Sequence, residues 1–178
     1  MSQSVYTLDT DFLTELEVTD DNSEEESIRS FLETADVAII PQSVYEELRI
    51  MENARKTVRK LDGSDYLERK HAIKEMKKLP RKHQTAVRQV VQEMRDLDGR
   101  SNKEKVKDVG DDVSEIKSGD ISISVITISM FLTDRADTVT IVSNDVSLFE
   151  DTRHVVERYT DVNQDRVKRV TASDVFES

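Results

Sequence analysis

Three short apolar runs, Val5-Tyr6-Thr7-Leu8, Val37-Ala38-Ile39-Ile40 and Val139-Thr140-Ile141-Val142, are each followed within a few residues by polar positions that favour a helix start. Strands that are apolar nearly throughout are covered on both faces, the usual condition of a parallel sheet. Parallel strands cannot be joined by tight turns, so each needs a crossover, usually a helix. The expected class is α/β: a three-layer α/β/α domain with a central parallel sheet. At 178 residues one core is the default, and residues 1–178 read as a single domain.

Between the runs the signals are mostly helical. Phe12, Leu13 and Leu16 suit a short helix. Asn22-Ser23-Glu24-Glu25-Glu26 resembles a capping box ahead of Ile28, Phe31, Leu32 and Ala35. Pro41, which has no N–H to give, closes the second strand. Val44, Leu48, Met51 and Val58 share a stripe that predicts a helix from Ser43 to Gly63. A further helix is expected over 65–78. Pro80 opens another, with Val87, Val90, Val91, Met94 and Leu97 on its apolar face and Gly99 past its end. Residues 100–117 are polar and carry Gly110; they read as a weak helix or an exposed connection. Ile121, Ile123 and Val125 alternate as in a strand, whereas Ile121, Val125, Ile128 and Leu132 form a helical stripe. Periodicity alone favours the strand. Val155, Val156 and Tyr159 predict a helix, and Val167 to Val170 a last edge strand. Tyr6, Phe12, Phe31 and Phe131 sit in apolar patterns and read as core.

The net charge of −11 opposes binding to phosphate backbones, but its distribution does not. Residues 49–107 hold 18 Lys and Arg against 9 Asp and Glu, net +9, while the rest is net −20. This basic, helical segment is either a set of solvated faces or a grip for nucleic acid. The absence of cysteine excludes disulfides, thiolate nucleophiles and Cys-ligated zinc. The glycines at 63, 99, 110 and 119 make no phosphate-binding loop, and His71, His83 and His154 have no zinc spacing. The apolar stretch 121–132 is interrupted by Ser122, Ser124, Thr127 and Ser129, and no leader is evident. A cytoplasmic protein with no membrane role is expected.

In open α/β sheets ligands bind beyond the carboxyl ends of the strands. Here those positions are acidic: Asp9 and Asp11 follow the first run, Glu46 and Glu47 open the helix after the second, and Asp145 follows Val139 to Val142. A single such Asp is commonly a helix cap. Several converging on one edge repel one another and call for a hard divalent cation.

These residues resemble the PIN-domain family from Val5 to Val170. Val5-Tyr6-Thr7-Leu8-Asp9-Thr10 is similar to its first motif, Pro41-Gln42-Ser43-Val44-Tyr45-Glu46-Glu47-Leu48 to its second, Ser118-Gly119-Asp120-Ile121-Ser122-Ile123 to its third, and Ile141-Val142-Ser143-Asn144-Asp145 to its fourth. The resemblance implies a catalytic, metal-holding quartet of Asp9, Glu47, Asp120 and Asp145, with Thr10, Asp11, Ser143 and Asn144 in support. It also implies Mg²⁺ or Mn²⁺ as cofactor and a helix, not a strand, after Asp120. The implied activity is metal-dependent endonucleolytic hydrolysis of single-stranded or structured RNA, leaving 5′-phosphate and 3′-hydroxyl ends. Arg55, Arg59, Lys77 and Arg81 would hold the RNA backbone; an antitoxin or processing partner and a homodimer are compatible with the family. The sequence departs from the pattern at position 11, which is Asp where Asn or Ser is usual, and after Asp145, where Val146, Ser147 and Leu148 supply no further carboxylate.

Two rival readings stand beside this one. A PIN-like domain can bind RNA or protein without cutting. Asp9-Thr10-Asp11 also resembles the Asp-x-Asp opening of haloacid-dehalogenase-like phosphatases, with Gly110-Asp111-Asp112 as a vague counterpart of their late acidic motif. The charged run Lys103 to Asp108 makes a poor buried strand to precede it.

Overall fold

The computed structural model describes residues 3–15, 26, 29–50, 67–97, 106–109 and 112–176. The strands are β1 (Ser4–Leu8), β2 (Val37–Pro41), β3 (Leu67–Lys70), β4 (Val106–Val109), β5 (Asp112–Ile116), β6 (Thr138–Val142) and β7 (Val167–Val170). Five of them form one sheet in the order β3-β2-β1-β6-β7, and every pairing in it is parallel. The chain winds outward from β1 to β3 and then returns to place β6 on the other side of β1. That reversal makes the β1/β6 border the switch point of the sheet, where a crevice opens beyond the strand ends.

The helices are α1 (Thr10–Glu15), α2 (Gln42–Ile50), α3 (Ala72–Lys77), α4 (Arg81–Leu97), α5 (Gly119–Leu132), α6 (Val146–Tyr159) and α7 (Ala172–Phe176); residues 29–32 are helical as well. Side chains on a strand alternate between faces, and here both faces are covered. Val5, Ile39, Val139, Ile141 and Val167 pack with α3, α4, α5 and α6. Leu8, Ala38, Ile40 and Val142 pack with Phe12 of α1, Val44 and Leu48 of α2, Leu32 and Val175. The three-layer α/β/α arrangement follows. Phe12 and Phe131 are buried, and Tyr6 stacks on Phe31 with ring centroids 4.8 Å apart.

The segment after Asp120 is helix α5, against the strand that periodicity favoured. Every residue from Ile121 to Phe131 is buried, so no polar stripe exists to announce a period of 3.6. Two of its serines meet side chains of neighbouring helices: Ser122 Oγ accepts from Ser43 Oγ at 2.7 Å, and Ser124 Oγ meets Thr152 Oγ1 at 2.8 Å, while the buried Ser129 hydroxyl has no hydrogen-bond partner among the described residues. Full burial of each isoleucine contributes roughly 1.5–3 kcal/mol.

The expectation of an all-helical basic segment is corrected at two places. Leu67-Glu68-Arg69-Lys70, expected within a helix over 65–78, is strand β3 at the sheet edge. Its charges are compatible with a strand because an edge has one ladder to satisfy and its open side stays hydrated. Residues 100–117, expected as weak helix or connection, include the antiparallel pair β4 and β5, separate from the parallel sheet. Of the capping box at 22–26 only Glu26 is described, and it is helical; the extension of α2 from 51 to Gly63 lies outside the described residues. Among the described residues no helix is long and apolar enough to cross a membrane.

Candidate functional site

At the carboxyl ends of β1 and β6 the chain turns directly into Asp9-Thr10-Asp11 and Ser143-Asn144-Asp145. Asp9 is buried, and its backbone N–H continues the ladder to the Val142 carbonyl at 3.1 Å. The buried Ser143 hydroxyl sits between the two acidic turns. It approaches Asp9 Oδ2 at 2.7 Å and Asp11 Oδ2 at 3.3 Å, and its oxygen accepts the Asp145 N–H at 3.0 Å. The Asn144 backbone N–H donates to Asp11 Oδ2 at 2.9 Å. Asp145 is the N-cap of α6, its Oδ1 accepting from Leu148 N at 3.1 Å. Capping therefore engages one of its carboxylate oxygens.

Glu47 and Asp120 are brought to the same edge by the crossing of α2 and α5. Gly119, the first residue of α5, allows that crossing: a Cβ there would stand 3.0 Å from Val44 Cγ2 and 3.7 Å from both Glu47 carboxylate oxygens. Ser43 of α2 bonds to Ser122 of α5, and Ser118 caps α5 by accepting from Ile121 N at 3.3 Å. The Thr10 hydroxyl donates to Glu47 Oε2 at 2.7 Å, which links α2 to the β1 turn. Ser43, Ser118 and Ser122 are thus part of the scaffold. No sequence signal singled them out, because their value comes from a helix crossing.

The electrostatics centre on Asp9. Burial pushes its pKa up to about 6, with the charges of Asp11 and Asp145 adding to the rise and the hydrogen bonds from Ser143 and the Thr10 backbone opposing it. Among the described residues no Lys or Arg forms an ion pair with Asp9. Hard carboxylate oxygens around a carboxyl in that condition fit a divalent cation such as Mg²⁺ or Mn²⁺. Among the described residues, however, no group of three Asp, Glu or His side chains is gathered closely enough to hold a metal ion. The chemistry of the donor set suits the ion; a closed cage is not preformed.

Two of the four residues expected to hold RNA are described. Arg55 and Arg59 are outside the described residues. Lys77 and Arg81 are exposed at the turn from α3 to α4, and α3 descends from the carboxyl end of β3. Glu75 of α3 bonds Arg135, just before β6, at 2.8 Å and lies 3.8 Å from Lys70 at the carboxyl end of β3. Asp112, part of the late acidic motif of the phosphatase reading, opens β5 in the separate pair and not a strand of the parallel sheet.

Comparison with family models, with curated proteins and with solved structures yields no match.

Proposed function

We propose that this chain is a metal-dependent endoribonuclease of the PIN-domain type, hydrolysing RNA phosphodiester bonds at the carboxyl edge of its sheet. The observation that carries the reading is the convergence there of acidic turns from β1 and β6 with Glu47 of α2 and the start of α5. Asp9, Glu47, Asp120 and Asp145 are the residues that would hold Mg²⁺ or Mn²⁺. The ion, when bound, supplies acidification of the attacking water and stabilisation of charge on the attacking and leaving oxygens. The chain's own contribution is positional. Ser143 fixes the carboxylate of Asp9 and approaches that of Asp11, Thr10 fixes Glu47, and the packing around Asp9 excludes bulk water, which strengthens every charge interaction inside.

The open cage favours a second reading, a PIN-like domain that binds RNA or a protein without cutting. End-labelled single-stranded RNA incubated with Mn²⁺ or with chelator, beside Asp9→Asn and Asp120→Asn variants, separates the two. Metal-dependent cleavage lost in both variants supports the nuclease. Retained RNA binding with no cleavage under any divalent metal supports the binding domain.

A further inference from the structure

Beside the acidic turns lies a cation that the nuclease reading leaves unused. Arg169 is on β7, in register with Ile141 of β6, and strand alternation places it on the same face as Val167 and Ile141. Its Nη1 donates to the Ser143 carbonyl at 3.3 Å, so the guanidinium sits against the residue whose hydroxyl lies between Asp9 and Asp11. The side chain is half-buried. Among the described residues that single bond is its only hydrogen bond, and it forms no ion pair. Asp174, held below the usual carboxylate range by the Thr171 backbone and hydroxyl and less strongly by the charge of Arg169, is not within ion-pair distance. A guanidinium has five N–H donors in a planar fork, and four are unspent here. Placed at the rim of a carboxylate cluster yet paired with none of its members, such a fork matches the oxygens of a phosphodiester, which it can engage in bidentate fashion.

We infer that Arg169 binds a backbone phosphate of the substrate beside the β1/β6 carboxylates, on the opposite side of Ser143 from Asp9. The inference rests on the nuclease reading for the site it borders. A phosphate there would be gripped by the Arg169 fork while the acidic turns address the scissile bond. The strand holding Arg169 pairs with β6, and the Ser143 N–H just beyond β6 donates to the Val170 carbonyl at 3.0 Å, so the grip and the Ser143 turn are held together.

The test is binding of fluorescent single-stranded RNA across a salt series, by anisotropy, in an Asp9→Asn background that prevents turnover. The Arg169→Ala variant is expected to bind about tenfold more weakly and to lower the magnitude of the log affinity against log salt slope by about 0.7, the value for one phosphate contact on a single strand. Arg169→Lys is expected to keep the slope while losing part of the affinity, since an ammonium cannot fork. An unchanged slope in Arg169→Ala, whatever its melting temperature, would assign Arg169 to holding the Ser143 turn and overturn the inference. If the alanine variant does not fold, Arg169→Gln keeps a donor for the Ser143 carbonyl and carries the same slope test. Failure of the parent chain both to bind and to cut RNA overturns the nuclease reading and this inference with it. RNA binding or cleavage by the parent with an unaltered slope in the variants overturns the Arg169 assignment alone.

Discussion

Among the described residues two carboxylates are buried, Asp9 and Glu75, and the molecule treats them in opposite ways. Glu75 meets Arg135 at 2.8 Å, Lys78 at 3.0 Å and Lys70 at 3.8 Å. Burial pushes its pKa up, but the hydrogen bonds from Arg135 and Lys78 and the charge of Lys70 outweigh that and leave it below the usual range. Asp9 has hydroxyl and backbone donors, no cationic partner among the described residues, and two acidic neighbours that raise it further. A carboxylate surrounded by its own cations is a structural clamp, here tying α3 to β3 and to the approach to β6. A carboxylate buried among other carboxylates is destabilising unless something from outside completes it. The difference teaches where to look for a ligand.

The sharpest way to break this comparison is Asp9→Asn. Cleavage of single-stranded RNA in Mn²⁺ is expected to fall about a thousandfold, a loss of roughly 4 kcal/mol in transition-state stabilisation, read by gel assay. The same variant is expected to be more stable than the parent in chelator at neutral pH, by up to about 3 kcal/mol, because the raised pKa of Asp9 is a penalty on its charged form. A destabilised variant would mean that Asp9 is an ordinary structural carboxylate like Glu75.

The pH dependence of stability follows with its sign. For Asp9 the folded pKa of about 6 lies above the ordinary carboxylate value of 3.8, so the folded state holds its proton more tightly and loses stability as pH rises through that window. Urea unfolding in chelator is expected to show this decline between about pH 4 and 6, with added Mn²⁺ reducing it. Glu75 has the opposite sign: its contribution is present above the unfolded value and is lost as pH falls through its depressed folded value. Glu75→Gln is therefore expected to cost about 2 kcal/mol at pH 7, less than a fully buried pair because Lys78 and Arg135 keep solvent access, and to leave cleavage unchanged. A large loss of cleavage without unfolding would undo the division into clamp and site.

The smallest expected effect is that of Ser143→Ala. Removing the hydroxyl takes away a donor to Asp9 and an acceptor for the Asp145 N–H. Cleavage is expected to fall about tenfold, as for other groups that orient metal-holding carboxylates, and the Asp9 carboxyl resonance in an NMR titration should move to higher pH. No movement of that titration would place Ser143 outside the site.

Much of the layout was legible residue by residue. The three apolar runs declared the inner strands because burial on both faces leaves β-branched and aliphatic residues with little polar alternation. Asp9, Ser143 and Asp145 could be singled out because a strand's end fixes which residues enter the crevice, whatever the rest of the chain does. Strand β3 was not legible: Leu67-Glu68-Arg69-Lys70 becomes a strand by pairing with β2, and no local pattern encodes a partner. Periodicity failed for α5 because a helix buried on every side has no polar face.

The sequence by itself determined the α/β class, the inner strands and the acidic character of their carboxyl ends, since all three follow from local polarity and chain connectivity. Tertiary structure decided that Gly119 lets α5 close on Glu47, that Ser43 bonds Ser122 across the helix crossing, and that Arg169 reaches Ser143. Each of these depends on which strand lies beside which and on how two helices cross. Contacts of that kind arise between residues far apart in the chain, and only packing brings them within reach.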